Sequence, residues 1–240
     1  MQTIAILSTK NDPLLIHLIN RIKKLKNLKF IILFADNSLS NSKKNFRIFK
    51  ERTGNYFKTK QKISKVDMQK MSFRSHNSIK LKKFLLKNKI KYLYNGGTPN
   101  KIQKKILNAV KGIINIHPGL FPKYRGCTNI EWALKNKEPL GLTAHLMDEK
   151  YDNGPIIKTK ILKFKKEKIR DYKDIRIKAY LEQINLAEHI FSLIAKNKIK
   201  LKKNIIKKNN FFPIIPNKIL KIVKNDIKKG KITFNNKNLI

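Results

Sequence analysis

Gly112-Ile113-Ile114-Asn115-Ile116-His117-Pro118-Gly119-Leu120-Phe121-Pro122-Lys123-Tyr124-Arg125-Gly126 is the stretch in which the pattern of the chain changes. Ile113 to Ile116 is a short apolar run of the kind buried in a sheet. Alternate residues of a strand share a face, so Asn115 and His117 point the same way. Two prolines and two glycines between Pro118 and Gly126 then end the strand in an irregular loop. An amide and an imidazole therefore lie side by side at a strand tip, where open α/β sheets place their sites. On these residues alone, tying down the following turn is an equal reading.

The chain around this stretch alternates strands and helices. Thr3–Leu7 reads as a first strand, then Leu14, Leu15, Leu18, Ile19 and Ile22 recur at helical spacing. Phe30–Phe34 is a second strand, too continuously apolar to face solvent. Phe46, Ile48 and Phe49 suggest a helix and Gly54-Asn55 a turn; from there to Asn77 the basic, serine-rich span reads as a loop, with His76 on the surface. Ser78 can cap a helix carrying Ile79, Leu81, Phe84 and Leu85. Ile90–Tyr94 is a strand ending at Asn95-Gly96-Gly97-Thr98-Pro99, and Ile102, Ile106 and Leu107 mark the helix before the central strand. Beyond it come a helix over 128–137, a strand over 142–147, a strand over 156–164 and a long amphipathic helix over 171–196. This alternation predicts an α/β fold with an open, mostly parallel twisted sheet flanked by helices. The domain expected is 1–196, with 197–240 as a short basic C-terminal extension holding a hairpin around Gly230.

Composition narrows the class. At 240 residues the chain can bury a full core. No opening stretch resembles a signal peptide and no apolar run reaches the about 18 residues of a membrane span. A single cysteine, Cys127, excludes an internal disulfide framework and a multi-cysteine metal site. A cytoplasmic protein without a membrane partner is expected. Cys127 reads more simply as a tolerated thiol than as a nucleophile, since no activating partner can be placed beside it. The formal charge of +41 comes from lysines spread through every segment, so a dedicated nucleic-acid surface is the weaker reading. The same charge favours anionic small molecules.

Downstream, His145-Leu146-Met147-Asp148-Glu149-Lys150-Tyr151-Asp152-Asn153-Gly154-Pro155 forms a second polar cluster. The pattern Asn-x-His-Pro-Gly-Leu-x-Pro, then Arg-Gly, then His-x-x-Asp-x-x-x-Asp-x-Gly-Pro resembles the folate-dependent formyltransferase superfamily over roughly residues 90–160. That group includes glycinamide ribonucleotide transformylases, methionyl-tRNA formyltransferases and sugar-nucleotide N-formyltransferases. The resemblance implies a Rossmann-like fold and 10-formyltetrahydrofolate as formyl donor, with no metal. It implies a catalytic trio of Asn115, His117 and Asp152. It further implies a donor pocket along Gly97, Thr98, Pro99, Asn100 and Lys101, with Asp148 and Asp152 closing it.

Formyl transfer to an amine develops an oxyanion, which needs fixed donors worth about 3 to 4 kcal/mol each. An asparagine amide and a protonated imidazole suit that task, and an adjacent aspartate would hold the ring and favour its charged form. His145 reads as a structural or orienting group, and a metal shared by Asp148 and Asp152 is disfavoured for want of further oxygen ligands. Acceptor contacts are expected from Ser8, Thr9 and Asn11 after the first strand and from Lys123, Tyr124, Arg125 and Gly126, with Arg125 able to grip a phosphate bidentately. Purine-pathway members of the family carry a glycine-rich phosphate loop after the first strand, which this chain lacks, and Tyr124-Arg125-Gly126 looks like the sugar and methionyl-tRNA branches. An amine on a nucleotide-linked sugar is therefore the favoured acceptor. A glycinamide ribonucleotide or methionyl-tRNA acceptor is the alternative within the family, and a noncatalytic nucleic-acid-binding protein the alternative outside it. A homodimer is left open.

Overall fold

A computed structural model describes residues 1–10, 12–35, 39–98, 101–165, 169–206, 210–231 and 236–238, without the side chains of 39–45, 64 and 236. Its centre is a seven-stranded sheet. In chain order the strands are β1 (Gln2–Ser8), β2 (Leu28–Ala35), β3 (Gln69–Phe73), β4 (Tyr92–Asn95), β5 (Gly112–His117), β7 (Gly141–Leu146) and β8 (Ile156–Ile161), with a short β6 (Arg125–Gly126) outside it. The spatial order is β3-β2-β1-β4-β5-β7-β8. Neighbours are parallel from β3 through β5, and β7 runs antiparallel to both β5 and β8. From β1 the chain builds outward to β2 and β3, then returns to lay β4 and β5 on the other side. The order therefore reverses between β1 and β4, and ligand crevices open outside the carboxyl ends of strands at such a point.

Each central strand is apolar on both faces because helices cover both. Ile4, Ile6, Phe30, Ile32, Tyr94 and Ile114 face one layer, which holds α1 (Leu15–Ile22) and the 24-residue α6 (Tyr172–Ala195). Ala5, Leu7, Ile31, Leu33, Leu93 and Ile113 face the other, under α3 (Ile79–Lys87) and α4 (Lys104–Leu107). Alternate residues thus serve opposite cores. The caps follow local chemistry. Ser78 accepts from the Leu81 N–H at 3.2 Å, and Asp171 and Asp174 form a capping box at the head of α6. Two further helices, α2 (Leu39–Thr53) and α5 (Asn129–Lys135), flank the carboxyl end.

Three expectations are corrected. The span expected as a loop up to Asn77 carries β3, a polar edge strand pairing with β2, and the 3-10 turn Ile63–Lys65. His76 is fully buried instead of lying on the surface. The residues before Gly230 form α7 (Asn217–Lys228) and not one arm of a hairpin. Gly230 at φ +66° stands just beyond its end, as a glycine C-cap does.

The basic segment after Asn197 folds back along the domain. Lys202 bridges Ile156, and β9 (Phe211–Phe212) runs parallel to β6. Val223 and Ile227 of α7 enter the core. The buried Asn238 amide accepts from the Leu140 N–H at 2.9 Å and donates to the Leu140 and Leu162 carbonyls at 2.9 and 2.7 Å. Those strand-end groups have no water to turn to. Asn238→Ala should therefore cost about 1 to 3 kcal/mol, read as a lower urea midpoint with an unchanged slope.

Candidate active site

Asn115 and His117 lie on one face of β5, paired across the antiparallel register with His145 and Thr143 of β7. The following loop is pinned at once. Thr143 donates from Oγ1 to the Gly119 carbonyl at 2.7 Å and accepts from the Phe121 N–H at 3.0 Å. A Cβ on Gly119 would fall 2.9 Å from His117 Nε2, so the loop needs glycine there to pass the ring.

Asp152 comes back from the second cluster to meet this tip. Its backbone holds φ +51°, a left-handed conformation that aspartate tolerates better than most residues. One carboxylate oxygen, Oδ1, lies 3.3 Å from His117 Nδ1 and 3.8 Å from His145 Nε2; the other accepts the Gly126 N–H at 2.8 Å. The buried Arg125 guanidinium donates from Nε to the Asp152 carbonyl at 2.7 Å and from Nη2 to the Tyr151 carbonyl at 3.1 Å. Asp148 accepts the Lys150 N–H at 2.9 Å and the Asn153 amide at 2.6 Å, closing the loop internally.

Hydrogen-bond polarity in the site is fixed from one end to the other. The Gly97 and Thr98 N–H groups donate to Asn95 Oδ1 at 3.3 and 3.0 Å, so Asn95 Nδ2 must be the donor to Asn115 Oδ1 at 3.2 Å. Asn115 Nδ2 therefore faces His145 Nε2 at 3.1 Å, which has to accept. That leaves the His145 proton on Nδ1, aimed at the Leu146 carbonyl 3.0 Å away. On the other ring, Asn129 Nδ2 donates both to the Gly126 carbonyl at 3.0 Å and to His117 Nε2 at 2.8 Å. His117 then carries its proton on Nδ1, toward Asp152. Five side-chain amides and imidazoles are thus held in single orientations by backbone groups that cannot turn.

Burial pushes His145 down, its neighbour His117 adds to that, and the nearby Asp152 only partly opposes them, leaving the imidazole at about 4. Burial would push Asp152 up, but the His117 hydrogen bond and electrostatic contact, the Gly126 N–H and His145 outweigh it and hold the carboxyl below its ordinary range. Near neutral pH the site thus pairs a neutral His145 with an ionised Asp152.

A cavity of about 560 Å³ opens beyond the carboxyl ends of β1, β4 and β5. Its wall includes Thr9, Asp12, Asn95, Gly97 and Asn115, and α6 contributes Tyr180 and Gln183. Asn115 is the member of the trio on this wall. His117 is only 4 % exposed, and both its ring nitrogens are engaged within the protein. The trio is brought together, but the imidazole stands one layer deeper than a direct oxyanion donor would.

The other expected residues divide. Gly97, at φ +105°, has nothing within 4 Å of the place a Cβ would take, so the wall is open above it. Lys101 lies 5.6 Å over the Tyr151 ring, between the two loops. Asn11, Pro99 and Asn100 fall outside the described residues. Ser8 donates to Asp12 Oδ2 at 2.7 Å, and Asp12 Oδ1 accepts the Leu14 N–H at 2.9 Å ahead of α1. A carboxyl already sits where an acceptor phosphate would seek the helix start. Lys123 pairs with Glu138 at 2.7 Å, and Tyr124 is buried with its ring stacked 5.1 Å from Phe212. Arg125 and Gly126 are committed to Asp152, as described. These four shape the Asp152 loop and the C-terminal segment, whereas the sequence suggested acceptor contacts. Cys127 borders the cavity, but burial and the Asp152 charge raise its thiol, which disfavours a thiolate. Asn95 and Asn129 carried no expected role. The one hint was Asn95 at the tip of β4, the same strand-end position that singles out Asn115.

The His145 shift has a consequence for stability. The ring accepts a proton near pH 6.5 when unfolded but only near 4 when folded. The unfolded chain therefore binds the extra proton between these values. The stabilisation is complete above about pH 6.5 and is lost as the pH falls toward 4, by roughly 3 kcal/mol across the window. Urea midpoints measured from pH 7 to pH 4 should show this decline, and His145→Gln should flatten it.

The family model described as formyl transferase matches residues 53–178, just over half of the chain. Methionyl-tRNA formyltransferase of Thermodesulfovibrio yellowstonii is 48 % identical over 58 residues, which are 23 % of this chain and 19 % of that protein. The match thus spans about a fifth of that relative's length. Among solved structures, a 4-N formyltransferase from Francisella tularensis superimposes with a TM-score of 0.61 at 22 % identity, covering 89 % of this chain and 76 % of that one. The formyltransferase PseJ from Anoxybacillus kamchatkensis, solved with a formamido-sugar nucleotide and tetrahydrofolate, gives 0.54 at 15 % identity over 88 % and 85 %. At these identities the structural likeness speaks for the fold, and the family model, over its matched residues, shows that the chain belongs to the formyl transferase family.

Proposed function

We propose that the protein transfers a formyl group from 10-formyltetrahydrofolate to a primary amine of a small acceptor, with an amino sugar linked to a nucleotide as the favoured acceptor. The observation that carries this reading is the Asn115 amide. It sits on the wall of the cavity at the point where the strand order reverses, oriented by Asn95 and His145. One Nδ2 hydrogen is directed to His145, and the second is the donor for the oxygen that gains charge when an amine attacks a formyl carbon. The donor supplies that carbon and leaves as tetrahydrofolate.

The chain's own residues then fix, exclude and move protons. The new C–N bond forms as the amine nitrogen attacks, and the bond from the formyl carbon to the folate nitrogen breaks. The proton lost by the amine replaces the formyl group on that nitrogen. Both nitrogens of His145 and both of His117 are engaged, so the ionised Asp152 carboxylate, which stands behind the cavity wall, takes the amine's proton through water. His117 holds that carboxylate by its Nδ1–H, and Arg125 holds the backbone behind it. Room for the donor's flat ring is supported by the open space above Gly97. The Asp12 carboxyl at the β1–α1 turn speaks against a ribonucleotide phosphate bound there, which supports the sugar-nucleotide reading over the purine one.

The test offers 10-formyltetrahydrofolate with a panel of amino-sugar nucleotides, glycinamide ribonucleotide and charged initiator tRNA. Turnover is expected with an amino-sugar nucleotide. Asn115→Ala should lower kcat by about 10²- to 10³-fold in a protein that still folds cooperatively, its melting temperature reduced because the Asn95 amide and His145 Nε2 lose their partner. Undiminished turnover in that variant would refute the assignment.

A further inference from the structure

The buried polar groups beside the cavity do not balance in charge. Glu131 of α5 is fully buried and lies 3.7 Å from two guanidinium groups, Arg176 of α6 and Arg52 at the end of α2. It also receives the Tyr172 hydroxyl. Arg176 is itself buried, lies over the Tyr180 ring at 4.9 Å and donates to the Tyr180 hydroxyl at 2.9 Å. Arg52 reaches that same hydroxyl. One carboxylate therefore faces two guanidinium groups, and the cluster keeps one positive charge in excess. Burial would raise the Tyr180 phenol, but the two arginines outweigh it and lower it, so the surroundings favour negative charge at this point.

That excess is not sealed in. Arg52 retains 26 % side-chain exposure and, with Phe49 and Tyr180, lines the same cavity that holds Asn115. Water-shielded positive charge on a cavity wall is worth far more to an anion than the same charge on an open surface. The planar guanidinium suits phosphate oxygens. Neither the Lys123–Arg125 segment nor the β1–α1 turn is free for this task, as their engagement with Glu138, the Asp152 loop and Asp12 shows.

We infer that Arg52, backed by Arg176 and flanked by Phe49 and Tyr180, is the subsite that receives the phosphate or diphosphate group of the acceptor. The inference takes the cavity to be the acceptor site and so rests on the reading above, which it deepens by placing the acceptor's anionic end.

Calorimetric titration of the full chain tests it with inorganic pyrophosphate, UDP and pteroyltriglutamate, on wild type, Arg52→Gln, Arg52→Lys and Lys24→Gln. Lys24 is exposed beyond the end of α1 that lies away from the cavity and controls for the general positive field. Arg52→Gln should weaken pyrophosphate and UDP binding tenfold or more, Arg52→Lys less, and Lys24→Gln by less than twofold. Pteroyltriglutamate affinity should stay within twofold throughout. Melting temperatures of the Arg52 variants within a few degrees of wild type show that the fold survives. Equal losses in Arg52→Gln and Lys24→Gln, no loss in Arg52→Gln, or a loss confined to pteroyltriglutamate would overturn the subsite. Because the readout is anion binding, the formyl-transfer reading can fail in the Asn115→Ala assay while this result stands, and the reverse.

Discussion

The site depends on a carboxylate that must be ionised in a place where burial resists ionisation. Asp152 achieves this by collecting the His117 ring on one oxygen and the Gly126 N–H on the other, while its own backbone is held in a left-handed turn. Arg125 makes that turn affordable, because its guanidinium spans the Tyr151 and Asp152 carbonyls. Gly126 in turn needs to be glycine at φ +90°, since the Phe212 carbonyl packs against the side where a Cβ would stand. A loop, a strand tip and the C-terminal segment are thereby tied into one object.

A second constraint is directional. Backbone N–H groups at Gly97 and Thr98 fix Asn95, which fixes Asn115, which fixes the tautomer of His145. No member of this series can turn without unpairing a donor or acceptor, and at the buried His145 end that costs about 1 to 3 kcal/mol. That rigidity is what an electrostatic catalyst needs, since a donor that must reorient stabilises a developing charge poorly. The +41 formal charge acts at another level. It is carried by lysines that mostly stay in water, and Arg176 and Glu131 are the charged side chains that the core encloses most fully among the described residues.

Much of this architecture could be read in the chain itself. Continuous apolar runs such as Phe30–Phe34 announced strands buried on both faces, and the 3.6-residue period placed α1, α3 and α6 within a few residues. Period 2 put Asn115 and His117 on one face, and the family pattern brought Asp152 to them. What escaped was decided by contacts between distant segments. The edge strand Gln69-Lys70-Met71-Ser72-Phe73 is polar because only one side of it meets a neighbour, so its composition resembles a loop. Gly230 fits a hairpin turn and a helix C-cap equally well, although Leu220, Val223 and Ile227 already recur at helical spacing. Arg125 was read as a phosphate ligand because its chemistry permits that, and nothing local reveals the two carbonyls that return to occupy it. Asn129 looked like an ordinary helix residue, while its amide holds His117 across 12 positions of chain.

The central claim is that His145 at neutral pH is an uncharged imidazole with its proton on Nδ1, because only that form leaves Nε2 to orient the Asn115 amide. Nitrogen-15 NMR of the histidine side chains measures this directly. The account predicts a protonated Nδ1 and a bare, hydrogen-bond-accepting Nε2 for His145 at pH 7. An imidazolium, or a ring protonated on Nε2, would contradict it.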